Sequence, residues 1–551
     1  MEKIIKYILT LVILCFSNLV LSNDYSEISY VITPKFFNNK ILYIKIDTKF
    51  IGKLSDKIVI NFPHRWGGNK YDDQIKNIAF ISPKIINKIE NINSPQKTIH
   101  LSQNSNHINF SYEIYKKNES LMNEHEDILY NDLIHVIGYG ALAVPDDLEI
   151  NKKIRFRLIW ENIPKKWRTI SSHGLSKHIS FTGNPSQLLQ AFYAAGQLRS
   201  YKIDNLYLSF YGYFDLPDNL ITSYLNEIIK TQRFFFKDHN YPYYAISLIE
   251  WDNPSSAGGV GLYNSFVLHF PKDLNKEMFY SLFAHEHLHN WIGVKINSNE
   301  KEEGLHYWWS EGFTEYYSRV LALRSNGISI DAFVKQCNQF LRDYYLSPVI
   351  NEPNIKIMKN FWNSADMEKL PYYRGFVFAI YLNYLIKNNT SKGSLDNVML
   401  DLFKGVNTHK LFSINEFKNV VKNYIPAGID KEISEFIING KTISLKKVMN
   451  LLPLKKVSMG KFNLGFVSKD RIIKKIYKNS NAYKSGLRKG YKIIGDSPDD
   501  IDPSKEIIIE TNHGIFRFKP EDQYNKKEVY QFKTPLSDKD KIEIKNFFNS
   551  I

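Results

Sequence analysis

Cysteine is almost absent from this chain of 551 residues: there are two, Cys15 and Cys337. Cys15 lies in an apolar run at the start, so a chain processed there would keep one thiol and could form no internal disulfide. The residue before it, Leu14, is not the small residue that lipoprotein cleavage prefers, which argues against lipidation. No internal repeat or long low-complexity tract is present, and no stable membrane span is expected once the initial run is removed. A basic patch is missing too. The formal net charge is +15, but the lysines are scattered singly, so the surplus reads as compositional bias on solvated faces, and nucleic-acid binding is not expected.

What is present begins with Met1 to Ser22, where Lys3 and Lys6 precede the apolar run Ile8 to Phe16. This reads as a signal peptide cleaved near Ser22-Asn23, which places the protein outside the cell or in the periplasm; a retained N-terminal membrane anchor is the alternative. The remainder is long enough for three or four domains. From residue 23 to about 175, short alternating runs such as 41–47, 57–62 and 154–160 predict a β-sandwich-like domain. Strands over 206–211 and 244–249 flank a helix over 220–235, and the sequence then runs into Gly258-Gly259-Val260-Gly261.

The chemistry is concentrated in His285-Glu286-His287-Leu288-His289, an H-E-x-x-H. On a helix, residues four apart share a face, so His285 and His289 can present two imidazoles to one Zn²⁺. Glu286 then lies beside the metal, where a carboxylate can take a proton from an acidified water. Leu274, Met278 and Leu282 continue the same stripe and predict a largely buried helix. Zinc needs a third protein ligand, and the next helical segment offers Glu311 and Glu315, one turn apart. His287 and His306 are expected at the surface or behind the ligands.

Glu-Gly-Phe-Thr-Glu-Tyr-Tyr (311–317) after H-E-x-x-H resembles the glycyl aminopeptidase family of gluzincin metallopeptidases and, more distantly, the aminopeptidase N superfamily. The resemblance implies that Glu311 is the third ligand of one zinc per chain, although it follows His289 by 22 positions, a longer linker than in aminopeptidase N. Glu315 would orient a ligand histidine from behind. Pro371-Tyr372-Tyr373-Arg374-Gly375 resembles the P-Y-x-K-G segment whose tyrosine binds the oxyanion, which implies Tyr372, with Tyr373 the alternative. The stretch Gly258-Gly259-Val260-Gly261 resembles the family's G-G-L-E-H-x-x-S edge strand, which implies that it holds substrate. Gly258, Gly259 and Ser265 match, but Gly261 and Leu262 stand where the family has Glu and His, the Glu anchoring the substrate amine. Glu250 or Asp252 could replace it.

Pro63 to Tyr71 is similar to a stretch of the family's N-terminal domain. Near the end, Asn463-Leu464-Gly465-Phe466 resembles the carboxylate-binding loop of PDZ domains, and 479–490 resembles a second PDZ segment. The expected architecture is therefore multidomain α+β: the N-terminal β domain, a thermolysin-like zinc domain with a helical subdomain over 176–450, and a PDZ-like module over 451–551. The function implied is hydrolysis of peptides or proteins by an aminopeptidase. An endopeptidase whose PDZ-like module recruits C-termini is one alternative, and a non-catalytic peptide-binding protein is another.

Overall fold

The computed structural model describes residues 24–549 except 39, 68, 82–84, 91–93, 102–104, 116–124, 149–151, 240–242, 252–256, 274, 299, 391–392, 407–411 and 495–501. The expected signal peptide, Leu274 and Asp252 lie outside the described residues. The chain forms two compact units, one of residues 1–226 and 240–276, the other of 227–239 and 277–551. Among the described residues, no helix is long and apolar enough to cross a membrane.

The first unit is rich in β structure. A six-stranded mixed sheet takes strands β1 (Asp24–Phe37), β2 (Lys40–Lys53), β3 (Ile75–Phe80), β4 (His107–Tyr115), β5 (Ile154–Trp160) and β6 (His178–Gly183) in the order β6-β5-β1-β2-β4-β3. Alternation sets its faces: Ile154, Phe156, Leu158 and Trp160 of β5 are buried, while Arg155 and Arg157 are exposed. β6 pairs with β5 from Ile154↔Gly183 to Ile159↔His178, so this sheet runs past residue 175, where the sequence reading ended the domain.

A five-stranded sheet follows in the same unit, with β7 (Arg199–Ile203), β8 (Leu206–Tyr211), β9 (Tyr244–Glu250), β10 (Gly258–Leu262) and β11 (Ser265–Phe270) ordered β7-β8-β9-β11-β10. The sequence reading grouped this stretch with the zinc domain. Contacts group it with the β unit, apart from the later turns of helix α1 (Asp218–Phe236). The central strands β8, β9 and β11 are parallel, and β11 is buried along its whole length, as a strand covered on both faces must be. β10 pairs antiparallel on β11 alone and forms an edge.

The second unit is mainly helical: α2 (Lys276–Leu288, counted with this unit from Glu277), α3 (Tyr307–Ser310), α4 (Gly312–Arg324), α5 (Ile330–Leu346), α6 (Ala365–Asn389) and α7 (Leu395–Val406). α2 buries Phe279, Phe283 and His287, whose rings follow one another at centroid distances of 6.3 and 5.7 Å. Leu282, on the stripe expected to be buried, is only half-buried. The side chain of Met278 is not among those described. Packing therefore uses the Phe279–Phe283–His287 face of α2, a different face from that of His285.

α6 crosses α3 and α4 with almost no space between backbones. A Cβ at Gly375 would lie 1.7 Å from the Trp308 carbonyl oxygen, and one at Gly312 would lie 2.4 Å from the Gly375 Cα. Only glycine permits that approach. Next to it, the fully buried Arg374 donates from Nη2 to the carbonyls of Ile350 (3.0 Å) and Glu352 (2.8 Å), fixing the chain that leads to α6.

Residues 451–549 belong to the helical unit by contacts. Strands 454–459 and 527–532 pair, β12 (Phe466–Lys469) and β13 (Ile472–Ile476) form a hairpin, 507–511 and 514–518 form another, and Phe466, Ile473, Leu487 and Ile509 share a small core. The last helix, α8 (Asp538–Phe548), docks on α6 and α4: Asn383 of α6 donates to the Phe547 carbonyl (3.1 Å) and Arg324 of α4 to that of Phe548 (2.7 Å).

The crossing sets the first prediction. Gly375→Ala should lower unfolding stability by about 2 kcal/mol, read as a lower urea midpoint at unchanged slope. Wild-type stability in that variant would mean that α6 can lift away freely.

Candidate metal centre

α2 ends at Leu288, and His289 follows in a tight turn, its N–H donating to the Glu286 carbonyl (3.2 Å). The two imidazoles still converge, with Nε2 atoms 3.1 Å apart. Glu311, between α3 and α4, brings Oε2 to 3.3 Å from His285 Nε2 and 3.5 Å from His289 Nε2. A tetrahedral zinc with ligand bonds near 2.0–2.1 Å has donor–donor edges of about 3.3 Å. The triangle fits zinc.

The rear nitrogens are held as such a site requires. His289 Nδ1 lies 3.0 Å from the Ile292 carbonyl, which can only accept, so that nitrogen carries the proton and Nε2 keeps its lone pair. His285 Nδ1 lies 3.3 Å from Glu315 Oε1. Glu315 is in turn paired with Arg319, four residues on. Thus the carboxylate behind the ligand has its own fixed countercharge.

The electrostatics favour a cation. Burial opposes a charge on His285, yet the Glu315 and Glu311 carboxylates outweigh it and raise its pKa well above the ordinary histidine value. Burial likewise pushes Glu311 and Glu315 up, but their cationic neighbours win, His289 and His285 for Glu311, Arg319 and His285 for Glu315. Both fall below the ordinary value, Glu315 to about 2. Glu286 behaves differently: burial dominates, and its pKa is raised. It is a carboxylate with increased proton affinity next to the metal position.

Of the two adjacent tyrosines, Tyr372 is the one at the site. Its ring lies parallel to that of His285 (centroids 6.1 Å, 16°), and burial and the nearby Glu311, Glu286 and Glu315 carboxylates keep the phenol protonated. Tyr373 turns instead to Phe340 (5.5 Å). His287 and His306 are both buried, so a surface position is excluded for either. His287 Nδ1 pairs with Gln232 Oε1 (2.6 Å), and Gln232 Nε2 donates to the Ala284 carbonyl (2.6 Å), tying the end of α1 to α2.

The remaining candidate residues lie in other elements. Gly258, Gly259, Val260 and Gly261 form the edge strand β10; Gly261 is exposed, and a Cβ there would meet nothing closer than the Phe266 ring at 3.9 Å. Glu250 accepts from the Tyr213 N–H (2.7 Å). Leu464 and Gly465 lead into β12, which begins at Phe466, with Gly465 at φ +75° as a turn glycine.

Sequence reasoning missed Gln232, the Ile292 carbonyl, Arg319 and the Gly312/Gly375 crossing. Arg319 was within reach, since Glu315 and Arg319 have helical i, i+4 spacing. Gln232 lies 55 positions before His287, where no local pattern reaches.

Residues 278–358 match the family model described as M61 glycyl aminopeptidase. No curated protein matches the chain. Among solved structures, the aminopeptidase N family protein from Idiomarina loihiensis is similar over 95% of this chain and 100% of its own, at 15% identity and a TM-score of 0.70. The M1 zinc metallopeptidase from Deinococcus radiodurans is similar over 77% of this chain and 96% of its own, at 13% identity and a TM-score of 0.47. Native yeast LTA4 hydrolase is similar over 79% of this chain and 71% of its own, at 13% identity and a TM-score of 0.46. The first shares the fold, and the family match falls on the segment that carries all three converging donors.

Glu315→Gln should weaken zinc binding by about 10- to 100-fold, measured by competition with a chelator while circular dichroism stays unchanged. Unaltered affinity would leave Glu315 a role in folding only.

Proposed function

We propose that this chain, a zinc metallopeptidase of the glycyl aminopeptidase type, removes residues from the free amino end of extended peptides. His285, His289 and Glu311 would hold one zinc. Bound there, zinc supplies a Lewis acid that polarises the scissile carbonyl and lowers the pKa of a water to about 7. Glu286 takes the proton from the attacking water and delivers it to the leaving nitrogen as the C–N bond breaks and a C–O bond forms. Tyr372 donates its phenolic hydrogen to the carbonyl oxygen as negative charge grows there.

The observation that carries this reading is the convergence of the three donors beside the Tyr372 ring and the Glu286 carboxylate. Edge strand β10 would pair with the substrate backbone. Zinc loading in the cell depends on metal supply as well as ligand type.

An endopeptidase is the second reading, and two observations favour it. Gly261 offers no carboxylate to a substrate ammonium, and Glu250 is engaged by Tyr213. For the C-terminal module we favour packing over peptide capture, because the Gly465 N–H is taken by Asn463 Oδ1 (2.8 Å) and α8 is docked on the helices. Export rests on the sequence of residues 1–22 alone.

Two measurements test the proposal. Matched peptides with free and acetylated N-termini, digested by the zinc enzyme and by Glu286→Gln, should give stepwise shortening of the free peptides alone and none with the variant. Internal cuts in acetylated peptides would establish the endopeptidase reading instead. Tyr372→Phe should lower kcat by about 10²- to 10³-fold with little change in KM; a loss confined to KM would remove Tyr372 from oxyanion binding.

A further inference from the structure

A cavity of about 820 Å³ opens in the helical unit, within the size range of small-molecule sites. Its walls are the last turns of α1, the end of α4 and the first turns of α7. Phe234, Phe235, Leu321 and Leu400 give it an apolar lining, and Phe234 is 75% exposed.

Its charge is one-sided. Asp396 is the carboxylate of the lining, and Arg324 matches it at 2.9 Å while also donating to the Phe548 carbonyl. Lys230 and Lys237 remain as surplus cations, with His239 beside them. Lys237 caps α1 in the left-handed region at φ +54°, where glycine is ordinarily preferred. Its N–H donates to the Phe234 carbonyl (3.1 Å), and the Asp238 N–H to that of Arg233 (3.0 Å). A lysine is thus held in a strained position that places it at the cavity.

The kind of occupant follows from what the walls cannot do. The helix ends in these walls are capped, the Phe234 carbonyl by the Lys237 N–H and the Leu321 carbonyl by the Ser325 N–H, and among the described residues no strand edge lines the cavity to receive a peptide. The Ser394 N–H goes to Asn397 Oδ1 (3.0 Å), and the Ser325 hydroxyl lies 3.2 Å from the Tyr280 hydroxyl. A peptide would bury many amides with few partners, at a cost for each. A hydrocarbon chain with one anionic head group needs only the apolar lining and the two lysines.

We propose that this cavity binds a single-chain amphiphile with an anionic head group, of the fatty-acid class, its carboxylate at Lys230 and Lys237 and its chain against Phe235, Leu321 and Leu400. The walls also hold the zinc helix through other residues. α1 reaches α2 through Gln232, Asp238 just beyond α1 accepts from Trp291 Nε1 (2.8 Å), and Ser325 meets Tyr280. An occupant would brace the helices behind the metal centre without entering it.

The test is calorimetric titration of the zinc-loaded full chain with dodecanoate below its micelle concentration. Dodecyltrimethylammonium serves as the charge control, and phosphatidylglycerol vesicles separate a free acid from a membrane lipid. Saturable one-to-one binding of dodecanoate is expected, with a rise in melting temperature. The Lys230→Glu/Lys237→Glu double variant, altered only at exposed positions, should bind at least tenfold more weakly with an unchanged circular dichroism spectrum. Leu400→Trp, which fills the cavity, should also weaken binding. No saturable binding, equal binding of the cationic amphiphile, or indifference to the charge reversal would overturn the proposal. So would binding to vesicles without uptake of the free acid, which would mark a membrane-facing surface instead.

Discussion

The pairing of Tyr372 with Glu311 at the metal centre rests on helices being allowed to touch backbone to backbone. Where α6 crosses α3 and α4, Gly375 and Gly312 leave no room even for a methyl group. That contact places Tyr372, three positions before Gly375, alongside Glu311, one position before Gly312. The ring of Tyr372 can then lie against His285 from α2. Two elements distant in sequence, α6 and the α3–α4 junction, are registered by one backbone contact. Side-chain packing alone could settle at several spacings, whereas a backbone contact has one limit, set by van der Waals radii.

Charge is organised by the same economy. Two histidines and two glutamates in a buried site would each be costly alone, since desolvation disfavours every ionised form. They are tolerable as a set because each charge faces an opposite one: Arg319 behind Glu315, Glu315 behind His285, and His285 and His289 against Glu311. Glu286 stands outside this chain of pairs, and of the three carboxylates Glu286, Glu311 and Glu315 it is the one whose pKa moves upward. A group meant to accept and release a proton must not be locked into a permanent ion pair. The arrangement thus separates groups that hold charge from the group that transfers a proton.

Much of this could be read in the sequence because helical periodicity encodes it. His285 and His289, or Glu315 and Arg319, need only i, i+4 spacing to be brought together, and strands such as 154–160 show their alternation directly. Tyr372 and Tyr373 could not be told apart that way, because neighbours on a helix differ by about 100° and only the packing of α6 decides which faces the metal. Gln232 was invisible for a different reason: its partner His287 is set by tertiary packing. The division into units was misjudged because strand pairing is non-local. β6 joins the first sheet through hydrogen bonds to β5, and β7 to β11 group by contacts with the β unit, although their sequence runs continuously into the zinc helix.

Every group proposed to do chemistry belongs to the helical unit, whereas edge strand β10 belongs to the β unit. Position 261 and the groups proposed to do chemistry thus lie in different units. Gly261 is exposed, with open space where a side chain would begin, so the strand does not require glycine there for packing. Gly259 is different, since a Cβ there would fall 2.5 Å from the Phe266 ring. One glycine of the edge is needed to form it, and the other is free to vary. The absence of a carboxylate at position 261 is thus not a requirement of the fold.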